Sequence, residues 1–103
     1  MMLNDPLLER RLGQLIIFLS THLGSGVFAM DIEGIKLNFY WKVKIKGNWT
    51  TLVTSTNCLH LLRIHETEFE DLCVEMTQWF KLHLKREYRA KKEEEEVSRS
   101  QET

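Results

Sequence analysis

The sequence predicts an α+β fold, a two-layer α-β-β-β-α domain in which a three-stranded antiparallel meander carries two helices packed on one face. Three observations predict it. Apolar residues recur at three- and four-residue spacing near both ends of the chain, the mark of amphipathic helices. Between those segments apolar and polar residues alternate, as in 36-KLNFYWKVKIKGNWTTLVTS-55. Two glycine-bearing pairs, Glu33-Gly34 and Gly47-Asn48, interrupt the alternation where hairpins would turn. At 103 residues the chain is one domain, expected at 1–92, followed by an acidic tail at 93–103 whose composition predicts disorder.

Asn4 or Asp5 is a fitting N-cap, and Pro6 is tolerated in a first turn. Leu8, Leu12, Leu15, Ile16, Leu19 and Leu23 then form one helical face, and Gly24 and Gly26 supply the stop, so a helix is expected over about 5–23. Pairing across Glu33-Gly34 sets Ile32 against Ile35, Met30 against Leu37, Phe28 against Phe39, and Asp31 against Lys36 on the other face. Pairing across Gly47-Asn48 sets Ile45 against Thr50, Val43 against Leu52 and Trp41 against Thr54. Both registers collect their apolar pairs on one face, because side chains alternate with period two. A straight strand from Ile35 to Lys46 would be about 40 Å long. A bend or bulge near Tyr40, or a hairpin projecting past the core, is therefore expected.

After Ser55 the period changes. Thr56 or Asn57 caps a short helical turn from Cys58 to Ile64, and Thr67 with Glu70 reads as a capping box. Phe69, Leu72, Cys73, Met76, Phe80 and Leu84 form the stripe of a second long helix, expected over about 68–92, with Trp79 on its shoulder.

Little in the chain points to catalysis. Cys58, His60, His65 and Cys73 are zinc-type ligands, but their spacing departs from that of familiar zinc modules, and no metal or cofactor is expected. The serines lie in no nucleophile motif, and Gly24-Ser25-Gly26 precedes a strand rather than opening a helix, as a phosphate cradle would. Glu66, Glu68, Glu70 and Asp71 crowd a helix start, and Lys81, Lys85, Arg86, Arg89, Lys91 and Lys92 crowd its end, as the helix dipole favours. The protein is read as a non-enzyme with no small-molecule substrate. The longest apolar run, Leu15 to Leu19, is too short to span a bilayer, and no export signal is evident. A soluble intracellular protein with reduced thiols is expected.

The net charge of −1 is banded: 36–65 contains no acid, whereas 66–80 holds five. Lys36, Tyr40, Lys42, Lys44, Lys46 and Trp49 would share the sheet face away from the helices, and lysines interleaved with aromatics suit single-stranded nucleic acid. Lysine there also fits a plain solvated face that resists edge pairing. The element order resembles that of double-stranded RNA-binding domains and of the small Alu-domain subunits of the signal recognition particle. The former carry a basic start to their second helix, where this chain reads Glu66-Thr67-Glu68-Phe69-Glu70-Asp71; the latter bind RNA on an open sheet face. That likeness is one of fold alone.

The favoured function is a small adaptor, accessory subunit or inhibitor that docks on another protein, as a hetero-complex or homodimer. RNA or single-stranded nucleic-acid binding is the alternative. Phe18, Tyr40, Trp41, Trp49, Trp79 and Tyr88 are more aromatic surface than one small sheet should cover, and exposed aromatics anchor interfaces. The expected contact residues are Trp49 and Lys46, facing each other at a projecting hairpin tip, with Trp79, His83 and Tyr88 on the second helix as a further surface.

Overall fold

Asp5 starts the first helix through its side chain. The carboxylate accepts from the Leu7 N–H at 2.9 Å and the Leu8 N–H at 3.4 Å, satisfying donors that have no partner inside the helix. The computed structural model describes residues 5–102, with side chains as far as Glu93. Helix α1 spans Pro6–Leu23 and ends at Gly24, whose φ of 77° suits glycine and whose N–H donates to Ser20 at 3.0 Å. Three strands follow, β1 (Val27–Glu33), β2 (Lys36–Ile45) and β3 (Asn48–Asn57), in an antiparallel sheet of order β1-β2-β3. A short helix α2 (Cys58–Arg63) leads into α3 (Glu66–Glu102). The fold is α+β, with α1 before the sheet and α3 after it.

Both hairpins turn one residue away from the expected place, and each register moves by two. The first turn is Gly34-Ile35: Ile32 pairs with Leu37, Met30 with Phe39 and Phe28 with Trp41. Gly34 has φ 63° and Ile35 does not share the positive sign, the pattern of a type II′ turn. Asp31 therefore faces Asn38, and Lys36 faces Glu33. The second turn is Lys46-Gly47, with φ of 51° and 84°, the two positive values of a type I′ turn. Ile45 pairs with Asn48, Val43 with Thr50 and Trp41 with Leu52. A shift of two leaves every side chain on its expected face. Lys46, however, leaves the strand for the turn, and Trp49 lies opposite Lys44.

The middle strand carries no bulge and does not project past the core. Its pairing is continuous on both sides, and Leu37, Phe39, Trp41, Val43 and Ile45 are all buried. The cover comes from α3. From Phe69 to Lys91 a helix measures about 33 Å, which matches ten residues of strand. Near its far end the Lys91 ammonium donates to the Thr50 hydroxyl at 3.0 Å, beside the second hairpin. Helix α3 thus continues through 92, where its end was expected. The tail proposed as disordered begins at Glu93, and its side chains from 94 onward lie outside the described residues. At its start, His65 takes the capping place assigned to Thr67: its carbonyl accepts from Phe69 at 2.9 Å, and its Nδ1 accepts from the Thr67 hydroxyl at 3.1 Å.

The core joins Leu8, Leu15 and Leu19 of α1, the inward row of β2, Leu52, Cys58, Leu61, and Phe69, Cys73, Met76 and Phe80 of α3. Trp41 is buried at its centre, against the expectation that it competes for surface. Its indole N–H donates to the Ser25 carbonyl at 2.7 Å, Phe28 stacks on it at 5.9 Å, and Phe80 meets it edge-on at 5.7 Å. A side chain on Gly26 would collide with this indole and with the Lys42 carbonyl, so that glycine is fixed by packing. Arg11, only 7% exposed, reaches from α1 under α2. Its Nη1 donates to the carbonyl of Ile64 at 2.9 Å and to that of Leu61, and its guanidinium lies 5.3 Å from the Phe69 ring centre. Carbonyls at the end of α2 are acceptors without helical partners, and a cation there also suits the helix dipole.

Candidate functional site

The sheet face turned away from the core is built from five cross-strand rows. In order they are Glu33–Lys36–Asn57, Asp31–Asn38–Ser55, Ala29–Tyr40–Val53, Val27–Lys42–Thr51 and Lys44–Trp49. The register brings Lys36, Tyr40, Lys42, Lys44 and Trp49 onto one face, as the alternation requires, and places Lys46 in the turn beside them. It also brings in two carboxylates, Asp31, expected on this face opposite Lys36 but found opposite Asn38, and Glu33, expected in the turn but found opposite Lys36. Asp31 and Glu33 belong to β1, a separate stretch of sequence, and their alternation with Val27 and Ala29 is the signal that places them on this face.

One end of the face is a closed polar network. Asp31 accepts from the Asn38 amide at 2.7 Å and from the Tyr40 hydroxyl at 2.9 Å; the Ser55 hydroxyl donates to the Asn38 carbonyl oxygen at 2.7 Å. The Asn38 amide also reaches Glu33 at 3.4 Å. Asn38 is consequently only 4% exposed although no helix covers it. The bond to Asp31, then loss of solvent, then the charges of Asp31 and Glu33 push the Tyr40 phenol above its ordinary value.

The other end is basic and aromatic. Trp49 is 62% exposed, and the Lys44 ammonium lies 5.3 Å from its ring centre. Val27, Ala29 and Val53 are exposed beside Tyr40 and Lys42, forming an apolar band between the two charged ends.

The second expected surface is less unified. Trp79 is half-buried, edge-on to Phe80 at 5.3 Å, and stacked on His83 at 3.8 Å, whose Nδ1–H donates to the Trp79 carbonyl at 2.9 Å. Phe18 and His22 repeat this stacked pair on α1 at 4.0 Å. Tyr88 is exposed farther along α3. Trp79 also borders a shallow groove with Thr54, Thr56, Leu72 and Met76.

The zinc-type residues are not gathered. Cys58 and Cys73 are buried free thiols, whereas His60 and His65 are exposed. Burial, then the charge of Glu70, pushes the Cys73 thiol up and keeps it protonated, which suits a packing role. Among the described residues no group of three or more metal-ligating side chains is placed to hold an ion. Among the described residues no helix is long and apolar enough to cross a membrane. No family model, curated protein or solved structure matches the chain.

Proposed function

We propose that this protein is a non-catalytic docking module, an adaptor, accessory subunit or inhibitor, which binds another protein through the open face of its sheet with Trp49 as anchor. The observation that carries the reading is the exposed indole beside a two-residue turn, on a strand fixed by unbroken pairing. Its ring contact with Lys44 is a cation–π pair, worth only about 0.5–1 kcal/mol at an exposed site. An interface anchor is worth at least about 2 kcal/mol, so a partner uses the indole better than the hairpin does.

The charge distribution supports a protein partner over a polyanion. Lys36 faces Glu33, and the Tyr40 hydroxyl is committed to Asp31, so the acidic end would repel a phosphate chain laid along the face. A surface with carboxylates at one end and an apolar centre fits the Lys42–Lys44 end and the Val27–Val53 band. Two buried, unpaired thiols fit a reducing, intracellular setting.

The test is capture from host extract with and without nuclease, by wild type and by Trp49→Ala. A protein partner retained after nuclease treatment, and bound at least about tenfold more weakly by a folded Trp49→Ala variant, is the expected result. Capture abolished by nuclease, with a salt dependence that flattens when Lys42, Lys44 and Lys46 become glutamine, would establish the nucleic-acid alternative instead.

A further inference from the structure

The two edges of the sheet are finished differently. Along β3, Thr50, Thr54 and Thr56 are half-buried on the helix side, and Lys91 of α3 donates to Thr50. Edge strand β1 has no such cover. Val27 is 56% exposed and Met30 39%, Ala29 is exposed, and Phe28 and Ile32 are only half-buried. The strand is therefore open on both sides, apolar on the core side through Phe28, Met30 and Ile32 and apolar on the other at its Val27–Ala29 end. Of the usual protections of an edge it carries only the carboxylates of Asp31 and Glu33: Val27–Glu33 contains no lysine, arginine or proline, and its pairing with β2 runs through all seven residues without a bulge.

We propose that β1 pairs antiparallel with β1 of a second copy of this chain, about a two-fold axis at Met30, to give one continuous sheet with three strands from each copy. The strand's own pattern selects this occupant. In the register centred on Met30, all seven residues pair, and Phe28 lies opposite Ile32 of the second copy on the side that carries the core. On the open side Val27 meets Glu33 and Ala29 meets Asp31, so no like charges oppose each other. Moving the register by one residue would turn the apolar set to the wrong face. Centring it on Asp31 instead would set Asp31 against itself, and centring it on Ala29 would leave Ile32 opposite Gly26. The interface is self-complementary, as a two-fold contact must be.

The proposal is tested on the full chain. Light scattering should show the mass rising with concentration from 12.3 kDa toward twice that value. Met30→Cys should form an intermolecular disulfide on mild oxidation, because directly opposed antiparallel residues bring their Cα atoms to about 4.5–5.5 Å. The native thiols are buried, and Ile17→Cys, exposed on α1, should form no intermolecular disulfide under the same conditions. Ala29→Asp should weaken dimerisation several-fold by facing Asp31 of the second copy, whereas Ala29→Lys should not. Both positions are exposed, and circular dichroism verifies that each variant is folded. A protein that stays monomeric at every concentration overturns the proposal and leaves β1 to a strand of another protein. A dimer that Met30→Cys does not cross-link overturns it as well.

Discussion

Tyr40 shows how one side chain changes meaning once its neighbour is known. Read along β2 it is a ring between lysines, ready for a base. In the fold its hydroxyl donates to Asp31, a residue nine positions earlier and one strand away. Ionisation of the phenol would break that bond and set two negative charges together, which is why its pKa is raised. A raised folded-state pKa contributes stability that is complete below the unfolded value near 10 and is lost as pH rises through the folded value. Phenolate absorbance should therefore show one tyrosine ionising above the ordinary range. Asp31→Asn should bring that transition down; a titration indifferent to this change would break the assignment. Arg11 and Gly26 are of the same kind. Nothing about RRLG marks one arginine as a buried strut, and nothing about GSG marks one glycine as the floor beneath an indole.

At the scale of elements, the helices and the faces of the strands were legible, and the registers were not. Parity follows from alternation, a property spread over ten residues that no single side chain can overrule. Register depends on where a two-residue turn sits, and Gly47 permits two answers because it fits either central position. Lys46-Gly47 prevails although a lysine must adopt φ of 51°, a region costly to residues with a Cβ. That choice moves Lys46 off the proposed face and sets Lys44 beneath Trp49. Asparagine tolerates the left-handed region better and is preferred before glycine in such turns. Lys46→Asn should accordingly raise stability by about 0.5–1 kcal/mol, or a few degrees in Tm. A lower Tm would show that the turn is held by something other than its backbone preference. The length of α3 was equally hard to foresee, since a charged helix face past residue 84 carries too few apolar residues to announce what it covers.

For the whole molecule, nearly all the sheet is made of neighbours in sequence, and the far-reaching closures are α3 over the sheet and α1 upon α2 and α3. Two tight hairpins bring β1, β2 and β3 together over short stretches, and α2 follows β3 without a break. Arg11, in contrast, bonds residues 50 and 53 positions away. Loop-closure entropy makes such a contact slow to reward its own formation, so the order of assembly should be sheet first and α1 last. Replacing Arg11 with methionine should cost about 1.5–3 kcal/mol, because the carbonyls of Leu61 and Ile64 lose a charged donor. That loss should fall almost wholly on the unfolding arm of a chevron plot, with the refolding rate scarcely changed. An equal slowing of refolding would place α1 in the nucleus. With its loss confined to the unfolding arm, Arg11 is a clasp that governs how long the folded molecule lasts while leaving untouched how quickly it forms.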